Sequence, residues 1–232
     1  MKNKIACFIP IKSNSSRVHN KNFITIGGKP LYKHVLDTVI QSQVFDDIFV
    51  DTDSKDVINY CKKKSINIIN REPELAKDSA NGNDLLEYWV NIKPEYDVYF
   101  QVFVTSPFLT VETLNNCVNI IKENDSCDSV FTVIEDYTWY WFNNKPVNYD
   151  PKLLPRSQDA KPMIKETTSL YGITKTGFNK TKSRIGEFSK TYTVSEIEST
   201  DIDTEFDLTM ARSDLRSEER RVGKECRSRW SP

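Results

Sequence analysis

Short apolar runs alternate with segments of helical periodicity from Lys4 to Val133. A short apolar run predicts a strand, and apolar positions spaced three and four apart predict an amphipathic helix. We predict strands at 4–9, 48–50, 66–69, 97–104 and 130–133. Almost every position of 97–104 is apolar, so we expect that strand at the centre of a sheet with both faces covered.

The segments between these strands predict helices. Their apolar positions are Leu31, Val35, Leu36, Val39 and Ile40; Val57, Ile58 and Cys61; Leu85, Leu86, Trp89 and Val90; and the stretch 111–121. Pro30 suits the first turn of the first helix. Either Asp53 or Ser54 can cap the second helix, and either Asn81 or Asn83 can cap the third. This alternation predicts an α/β fold with a Rossmann-like, doubly wound, mostly parallel sheet.

The pattern changes after Tyr137, where YTWYWFNNKPVNYD is rich in aromatic residues and interrupted by Asn and Pro. It predicts β-hairpins that project from the sheet, and exposed aromatic hairpins often form subunit contacts. Packing of the rings on the parent domain is an equal alternative. Further strands are predicted at 170–173 and 192–194, before an acidic stretch and a last helix. We therefore predict one domain over 1–215, with a β-rich insertion and candidate homodimer contact within 137–195.

Composition and charge exclude several classes of protein. Hydrophobic residues make up 38% and charged residues 28%, as in an ordinary globular protein. The net charge of -1 gives no electrostatic reason to expect nucleic acid as a partner. No apolar run approaches the roughly 20 residues of a membrane-spanning helix. Because a strand is predicted almost at once after Met1, we expect no signal peptide. The five cysteines show no metal spacing and no CxxC, so we expect reduced thiols and a cytoplasmic protein.

The segment 216–232, RSEERRVGKECRSRWSP, does not share this organisation. It has no apolar periodicity and resembles a translated sequencing adapter. We interpret it as a non-native tail and exclude it, together with Cys226, from the fold prediction.

The stretch 8–22, FIPIKSNSSRVHNKN, is the first candidate for a binding site. A strand ends at Pro10, and a polar loop with the cations Lys12, Arg17 and Lys21 follows. Loop amides, the N-terminus of the next helix and nearby cations together favour a phosphate. A solvated surface loop is the alternative, and neither GxxxxGK[ST] nor GxGxxG is present. DTDS after the second strand and TSP after the central strand should share one rim with this loop, because ligands bind there in such sheets.

Several motifs in order resemble the cytidylyltransferases that activate acidic sugars, namely the CMP-sialic acid, CMP-Kdo and related CMP-nonulosonate synthetases. The first loop matches that family's opening at Pro10, Ser15, Lys21 and Asn22. It departs from the family in lacking glycines, in Lys12 where Arg is usual, and in Ser16 where Lys is usual. Arg17, one place on, can supply the displaced charge.

Later motifs extend the resemblance over about 4–212. They are VDTDS, Arg71, Gln101 with Thr105-Ser106-Pro107, Arg156-Ser157-Gln158-Asp159 and Asp201-Ile202-Asp203-Thr204-Glu205. The resemblance implies transfer of CMP from CTP to the anomeric oxygen of an acidic α-keto sugar, either sialic acid-like or Kdo-type, with release of pyrophosphate. Catalysis of this kind consists mostly of positioning and charge neutralisation.

The resemblance also implies residue roles. The expected nucleotide-binding residues are Lys12, Ser13, Ser15, Arg17, Lys21, Asn22, Arg71, Thr105 and Ser106. The expected sugar-binding residues are Gln101, Arg156, Gln158 and Lys165. Catalytic roles are expected for Lys21, Gln101 and Asp203. Arg156 or Lys165 is the candidate for the sugar carboxylate, and a solvated surface charge is the alternative for each.

A magnesium site is predicted at DIDT. Asp201 and Asp203 are separated by one residue, so both side chains face the same way in an extended segment. Two carboxylates on one side suit Mg²⁺, which takes oxygen ligands together with substrate phosphate. The resemblance implies the same site. The alternative is a cap for the last helix by Asp203 or Thr204, and both roles can hold together.

Two rival functions stay open. One is a nucleotidyltransferase that acts on a sugar phosphate or polyol phosphate, because no motif fixes the base preference. The other is a catalytically silent nucleotide-binding paralogue. The missing loop glycines favour this second rival, whereas Lys21, Asn22, Asp201 and Asp203 oppose it. The identity of the acidic sugar is not determined by these motifs.

Overall fold

The computed structural model describes residues 3–15, 18–153, 155–156 and 159–214. Its strands are β1 (Ile5–Ile11), β2 (Thr25–Ile26), β3 (Lys29–Pro30), β4 (Asp47–Thr52), β5 (Asn67–Asn70), β6 (Val98–Val102), β7 (Ser129–Asp136), β8 (Trp141–Phe142), β9 (Lys145–Pro146), β10 (Met163–Thr174) and β11 (Ser189–Thr193). The α-helices are α1 (Leu31–Ser42), α2 (Lys55–Lys63), α3 (Gly82–Ile92), α4 (Val111–Lys122), α5 (Lys175–Thr181) and α6 over 205–214. Short 3₁₀ helices cover Lys21–Phe23 and Pro73–Ala76.

Seven strands form one sheet in the order β11-β7-β10-β6-β1-β4-β5. Strands β1, β4, β5 and β6 pair in parallel, and β11 pairs in parallel with β7. Strand β10 runs antiparallel to both of its neighbours, β6 and β7. The predicted mostly parallel α/β sheet is therefore confirmed. The strands predicted near residues 170 and 192 join this main sheet.

Helices cover both faces of the sheet, as a doubly wound fold requires. Helices α1, α2 and α4 pack on one face, and α3 and α5 pack on the other. Strand β1 is buried at every position, because it lies in the middle of the sheet between these two layers. Phe8 of β1 stacks on Trp89 of α3 with ring centroids 5.0 Å apart, which ties the second layer to the central strand.

The helix caps settle the alternatives left by the sequence. Ser54 caps α2 by accepting a hydrogen bond from the Val57 amide. Asn81 caps α3 and forms a capping box with Asp84. Asp53 does not cap a helix, and its carboxylate instead accepts hydrogen bonds from Ser13 of the first loop.

A short hairpin separates the first loop from α1, whereas the phosphate-binding loop was predicted to lie just before the N-terminus of the next helix. Strands β2 and β3 pair through Gly27 and Gly28, whose positive φ angles of 50° and 79° suit a tight turn. The helix then begins at Leu31, one residue after Pro30. The N-terminus of α1 therefore does not follow directly on the predicted phosphate loop.

The aromatic segment after Tyr137 forms the predicted hairpin. Strands β8 and β9 pair across Asn143 and Asn144, which both have positive φ. Trp141 and Phe142 are 59% and 72% exposed, so their rings do not pack into the parent domain. The subunit contact remains a prediction.

The four described cysteines, Cys7, Cys61, Cys117 and Cys127, are buried free thiols, as predicted. Burial raises the pKa of Cys61 to about 11 and that of Cys117 to about 12, so both thiols are protonated at neutral pH. Within the described part of the chain, no helix has the length and apolar character needed to cross a membrane.

Candidate active site

A cleft of about 390 Å³ opens at the carboxyl ends of the parallel strands. The first loop, the start of α3, the segment after β6 and the approach to α6 all reach it. Its polar and charged lining residues are Lys12, Ser15, Lys21, Asn22, Arg71, Lys77, Asn81, Thr105, Thr168, Arg184, Asp201 and Asp203. The first loop and Thr105 of TSP therefore share a rim, as predicted, whereas no residue of DTDS is among the lining residues. Five of these lining residues are cations, which suits an anionic ligand.

The first loop is held in shape by side chains rather than by glycine turns. Asp53 accepts hydrogen bonds from the backbone amide and the hydroxyl of Ser13, both at 2.6 Å. Asn22 closes the other end of the loop, since its side-chain amide donates to the Lys12 carbonyl at 3.0 Å. These contacts hold Lys12 and Ser13 at the start of the loop and tie them to the 3₁₀ helix at Lys21–Phe23, where Lys21 lines the cleft.

Lys21 connects the first loop to the DIDT segment. Its Nζ lies 2.8 Å from Oδ1 of Asp203, and the Lys21 side chain is only 10% exposed. The cap of α6 is a separate arrangement. The Asp207 carboxylate accepts from the amide of Thr204 at 2.8 Å, and the Thr204 hydroxyl accepts from the amide of Asp207 at 3.2 Å. Thr204, not Asp203, thus caps the helix, and Asp203 faces the cleft.

Asp201 is positioned by an unusual residue of β10. The Thr168 hydroxyl donates to Oδ2 of Asp201 at 2.7 Å. Thr168 has a φ of 57° and lies where the pairing of β10 with β7 is interrupted by a bulge. A β-branched residue at positive φ is strained, and such strain concentrates at functional sites. The other oxygen of Asp201, Oδ1, is buried without a hydrogen-bond partner.

Arg71 lies at the cleft wall in a buried network. Its Nε donates to Oδ1 of Asp51 at 2.8 Å and its Nη2 to the Asp51 carbonyl at 3.1 Å. The indole Nε1–H of Trp89 donates to the other Asp51 oxygen at 2.6 Å. The Arg71 and Asp51 side chains are 3% and 0% exposed, so this pair fixes the wall.

Gln101 of β6 lies behind the cleft rather than in its lining. Its side-chain amide donates to the carbonyl of Gly82 at 2.9 Å, and its Oε1 is buried without a partner. Gly82 and its capping neighbour Asn81 line the cleft, so the helix N-terminus that reaches the site is that of α3. The side-chain oxygen of Ser106 is likewise buried without a partner.

The sequence profile of a family described as Cytidylyltransferase matches residues 6–220. The chain belongs to the cytidylyltransferase family. An N-acylneuraminate cytidylyltransferase of Oncorhynchus mykiss is 30% identical over 73% of this chain and 41% of its own length. One of Streptococcus agalactiae serotype III is 26% identical over 88% of this chain and 52% of its own length. The chain thus spans about half the length of these curated relatives.

Solved structures share the fold of this cytidylyltransferase. CMP:2-keto-3-deoxy-manno-octonic acid synthetase complexed with CTP superposes with a TM-score of 0.65 at 16% identity, covering 93% of this chain and 99% of that one. The 4-diphosphocytidyl-2C-methyl-D-erythritol synthase of Anaerococcus prevotii gives a TM-score of 0.65 at 17% identity, covering 93% and 100%. The fold of this cytidylyltransferase is therefore that of nucleotidyltransferases.

Most predicted site residues of this cytidylyltransferase converge on the cleft. Those that line it are Lys12, Ser15, Lys21, Asn22, Arg71, Thr105, Asp201 and Asp203. Ser13, Gln101 and Ser106 do not line the cleft. Arg156 pairs with Asp159 at 2.7 Å, and neither Arg156 nor Lys165 is among the lining residues of this single chain. Arg17 and Gln158 lie outside the described residues, as does the predicted tail.

Three functional candidates were missed by sequence reasoning. Thr168 and Arg184 line the cleft, and Asp51 anchors Arg71. Asp51 opens the DTDS motif and was visible as part of it. Thr168 and Arg184 carry no motif, because their roles depend on a β-bulge and on a loop after α5 that brings Arg184 to the cleft.

The donor set of the cleft fits the predicted magnesium ion. Asp201 offers a buried, unpartnered Oδ1, and Asp203 lies two residues away on the same segment. No group of three or more His, Cys, Asp or Glu residues that could hold a metal occurs in the described ranges. Two carboxylates suit Mg²⁺ nevertheless, because this ion commonly completes its shell with water and substrate phosphate.

A second hollow, of about 570 Å³, lies at the opposite end of the parallel strands, near the start of β6. Two of its acidic residues, Asp97 and Asp128, have structural roles. Asp128 accepts from the backbone amides of Glu187 and Phe188, and Asp97 accepts from the amide of Lys4. None of the predicted site residues lines this larger hollow, so we assign the site to the smaller cleft.

Proposed function

We propose that this protein transfers CMP from CTP to an acidic α-keto sugar and releases pyrophosphate. The observation that carries the proposal is the ion pair between Lys21 of the first loop and Asp203 of the DIDT segment, because both residues line one cleft that is rich in cations. The family assignment supports a cytidylyl donor. The N-acylneuraminate named in several relatives supports an acidic sugar as the acceptor.

The proposed reaction is an in-line displacement at the α-phosphorus. The anomeric oxygen of the sugar bonds to the α-phosphorus, the bond to the β-phosphate oxygen breaks, and the hydroxyl proton is released. Lys12 and Lys21 would neutralise the triphosphate, with the amides of the loop held by Asp53 and Asn22 beneath it. Such preorganised charges lower the barrier because they need no rearrangement during the reaction.

Asp201 and Asp203 would hold Mg²⁺. When bound, the ion would neutralise phosphate charge and polarise the attacking oxygen. The protein's own contribution is to hold the two carboxylates in place, with Thr168 bonded to Asp201 and Lys21 paired to Asp203. Lys21 would therefore position both the nucleotide and an acidic side chain.

A pyrophosphate-release assay on the full chain tests this proposal. The panel combines CTP or UTP with N-acetylneuraminate, a Kdo-type acid, pseudaminic acid and legionaminic acid, and with a sugar phosphate and a polyol phosphate as the acceptors of the rival function, all in the presence of Mg²⁺. We expect release with CTP and at least one acid, and much less with UTP. A chain ending before Arg216 is run in parallel to separate any effect of the tail. Release only with a sugar phosphate or polyol phosphate would favour the rival nucleotidyltransferase, and CTP binding without turnover would favour a silent paralogue.

We further propose a homodimer formed through the hairpin of β8 and β9. The exposure of Trp141 and Phe142 supports this contact, because large exposed aromatic rings are enriched in subunit interfaces. Light scattering should give the dimer mass for the wild type and the monomer mass for a Trp141→Ser, Phe142→Ser variant. A wild-type monomer at micromolar concentration would contradict the proposal. A cytoplasmic location is proposed on the basis of the four unpaired thiols.

A further inference from the structure

Arg184 is the one cleft cation without an acidic partner among the residues that the structure describes. The other four cations of the lining are paired: Lys12 with Asp78, Lys21 with Asp203, Arg71 with Asp51, and Lys77 with Glu74. Arg184 forms no ion pair in the described chain, although it is only partly exposed. A guanidinium that lines a cleft and lacks an anion is suited to bind one from the ligand.

The position of Arg184 is fixed from three sides. Its guanidinium carbon lies 3.7 Å from the ring centroid of Tyr171, in a cation–π contact. Its backbone amide donates to Oδ1 of Asn83 at 2.9 Å. Gly82 leaves space for it, since a Cβ at that position would come within 2.9 Å of the Arg184 Nη1.

The supporting ring is itself held in place. The Tyr171 hydroxyl donates to the Glu166 carboxylate at 2.7 Å. Burial and this hydrogen bond raise the pKa of Tyr171, so the ring stays neutral at any physiological pH. Stacking occupies one face of the guanidinium, whereas its N–H groups lie in its plane and stay available for a planar acceptor.

Arg184 and Asp201 approach the same part of the cleft. Both contact β10 near its bulge: Arg184 stacks on Tyr171 at 3.7 Å, and Asp201 accepts a hydrogen bond from Thr168 at 2.7 Å. The cations of the first loop, Lys12 and Lys21, approach instead from the end of β1. The cleft therefore has one cationic group on the β1 side and a second on the β10 side.

We propose that Arg184 binds the carboxylate of the acidic sugar and thereby selects acidic over neutral acceptors. The inference rests on the proposed function. In an α-keto acid sugar, the carboxylate and the attacking oxygen are attached to the same carbon. A residue that holds the carboxylate near Asp201 also places the attacking oxygen near the metal ligands. Arg184 takes the role that the sequence suggested for Arg156 or Lys165.

The test compares wild type with Arg184→Gln, Arg184→Lys and the control Lys182→Gln. Lys182 is a cation of the same loop that lies over the Phe178 ring at 5.2 Å and does not line the cleft. N-acetylneuraminate and its methyl ester serve as charged and neutral acceptors, with CTP as donor. Kinetic constants for each acceptor and for CTP are measured separately.

We expect kcat/KM for the acid to fall by about 10- to 100-fold in Arg184→Gln, the range for loss of a hydrogen bond to a charged group. The KM for CTP should stay within about twofold, and the preference for acid over ester should disappear. Arg184→Lys should recover part of the preference, because lysine keeps the charge but loses the planar fork. Lys182→Gln should behave as wild type.

The outcomes separate the two proposals. Wild-type turnover of the acid with an undiminished preference in a folded Arg184→Gln protein would overturn the role of Arg184 alone. If Arg184→Gln fails to fold, an undiminished preference in Arg184→Lys overturns it instead. Absence of turnover in the wild type with every acid of the panel would overturn the proposed function and, with it, this inference.

Discussion

Lys21 and Asp203 are 182 positions apart in the chain and form a 2.8 Å ion pair in the cleft. The pair joins the loop after the first strand to the segment before the last helix. Because Lys21 is almost fully buried, its charge is little screened by water. Because Lys21 joins the two segments of the cleft, its removal should impair the turnover of CTP most directly.

Replacement of Lys21 by alanine should reduce kcat/KM for CTP by about 100- to 1,000-fold, as expected for loss of one preorganised charge contact to the reacting phosphate. Pyrophosphate release at varied CTP measures the effect. Lys12→Ala provides a comparison, because Lys12 is paired with Asp78 at the outer part of the loop. A Lys21→Ala protein with wild-type turnover of CTP would exclude the assignment of the loop to phosphate binding.

Asp203→Asn and Thr204→Ala should separate the metal role of DIDT from its capping role. Thr204→Ala removes the cap of α6 and should lower the free energy of unfolding by about 1 kcal/mol, with Mg²⁺ dependence unchanged. Asp203→Asn should raise the Mg²⁺ concentration required for half-maximal rate, with stability affected less than activity. Urea unfolding and Mg²⁺ titrations measure the two effects. Unchanged Mg²⁺ dependence in Asp203→Asn would contradict the metal role of Asp203, whose function would then be limited to its ion pair with Lys21.

The contribution of Thr168 to metal binding should come from its hydroxyl rather than from its methyl group. Thr168→Ser retains the oxygen that bonds Asp201 and should bind metal as wild type does. Thr168→Val removes it and should weaken metal binding by about 10-fold or more, the range for loss of an outer-shell partner of a metal ligand. Binding of Mn²⁺, followed by electron paramagnetic resonance, gives a measurement independent of turnover. Equal Mn²⁺ affinity in the two variants would show that Thr168 does not position Asp201.

Asp51 should be required for folding stability. Asp51→Ala leaves the Arg71 guanidinium and the Trp89 indole N–H without their buried acceptor. Loss of one partner of a buried ion pair costs about 3–5 kcal/mol. Urea unfolding monitored by Trp fluorescence and by circular dichroism measures this change. A loss below about 1 kcal/mol would indicate that Arg71 is held mainly by other contacts.

His34 should make stability depend on pH in the mildly acidic range. Burial lowers the pKa of His34 below its ordinary value of 6.5, with Lys29 acting in the same direction and the Ile26 carbonyl opposing it. The unfolded chain therefore binds a proton at higher pH than the folded protein does. The contribution of His34 is fully present above pH 6.5 and is lost as the pH falls below that value.

The measurement is the free energy of unfolding between pH 7.5 and 5.5 for wild type and His34→Gln. Asp37 faces His34 and has a lowered pKa, so it stays ionised throughout this window. The decline toward pH 5.5 should be smaller in His34→Gln. Equal declines in both proteins would assign the pH dependence to other groups.

Much of the fold could be predicted from the sequence, because its strands, helices and caps depend on local patterns. Apolar periodicity located the parallel strands and their helices, and Asn81 was one of two predicted caps for α3. The β2–β3 hairpin was missed because each strand has only two residues, too few to show alternation. The antiparallel place of β10 was missed because an apolar run does not reveal its partner strands.

In the candidate site, too, residues in local motifs were predicted, and residues whose roles depend on tertiary contacts were missed. Lys21, Asp201 and Asp203 were found because they belong to ordered motifs with recognisable chemistry. Arg184 was missed because its importance depends on the Tyr171 ring, on the space above Gly82 and on the pairing of the other cleft cations that the structure describes. Thr168 was missed because its backbone conformation arises from a bulge that only the pairing of β10 with β7 creates.

Transfer of labelled phosphorus tests the central claim most directly. The full chain is incubated with Mg²⁺, the acidic sugars of the panel and CTP that carries ³²P at either the α or the γ position. We expect the α label in a cytidine monophosphate ester of one acid and the γ label in pyrophosphate. Appearance of the γ label in the sugar, or no transfer of the α label to any acid, would contradict the account.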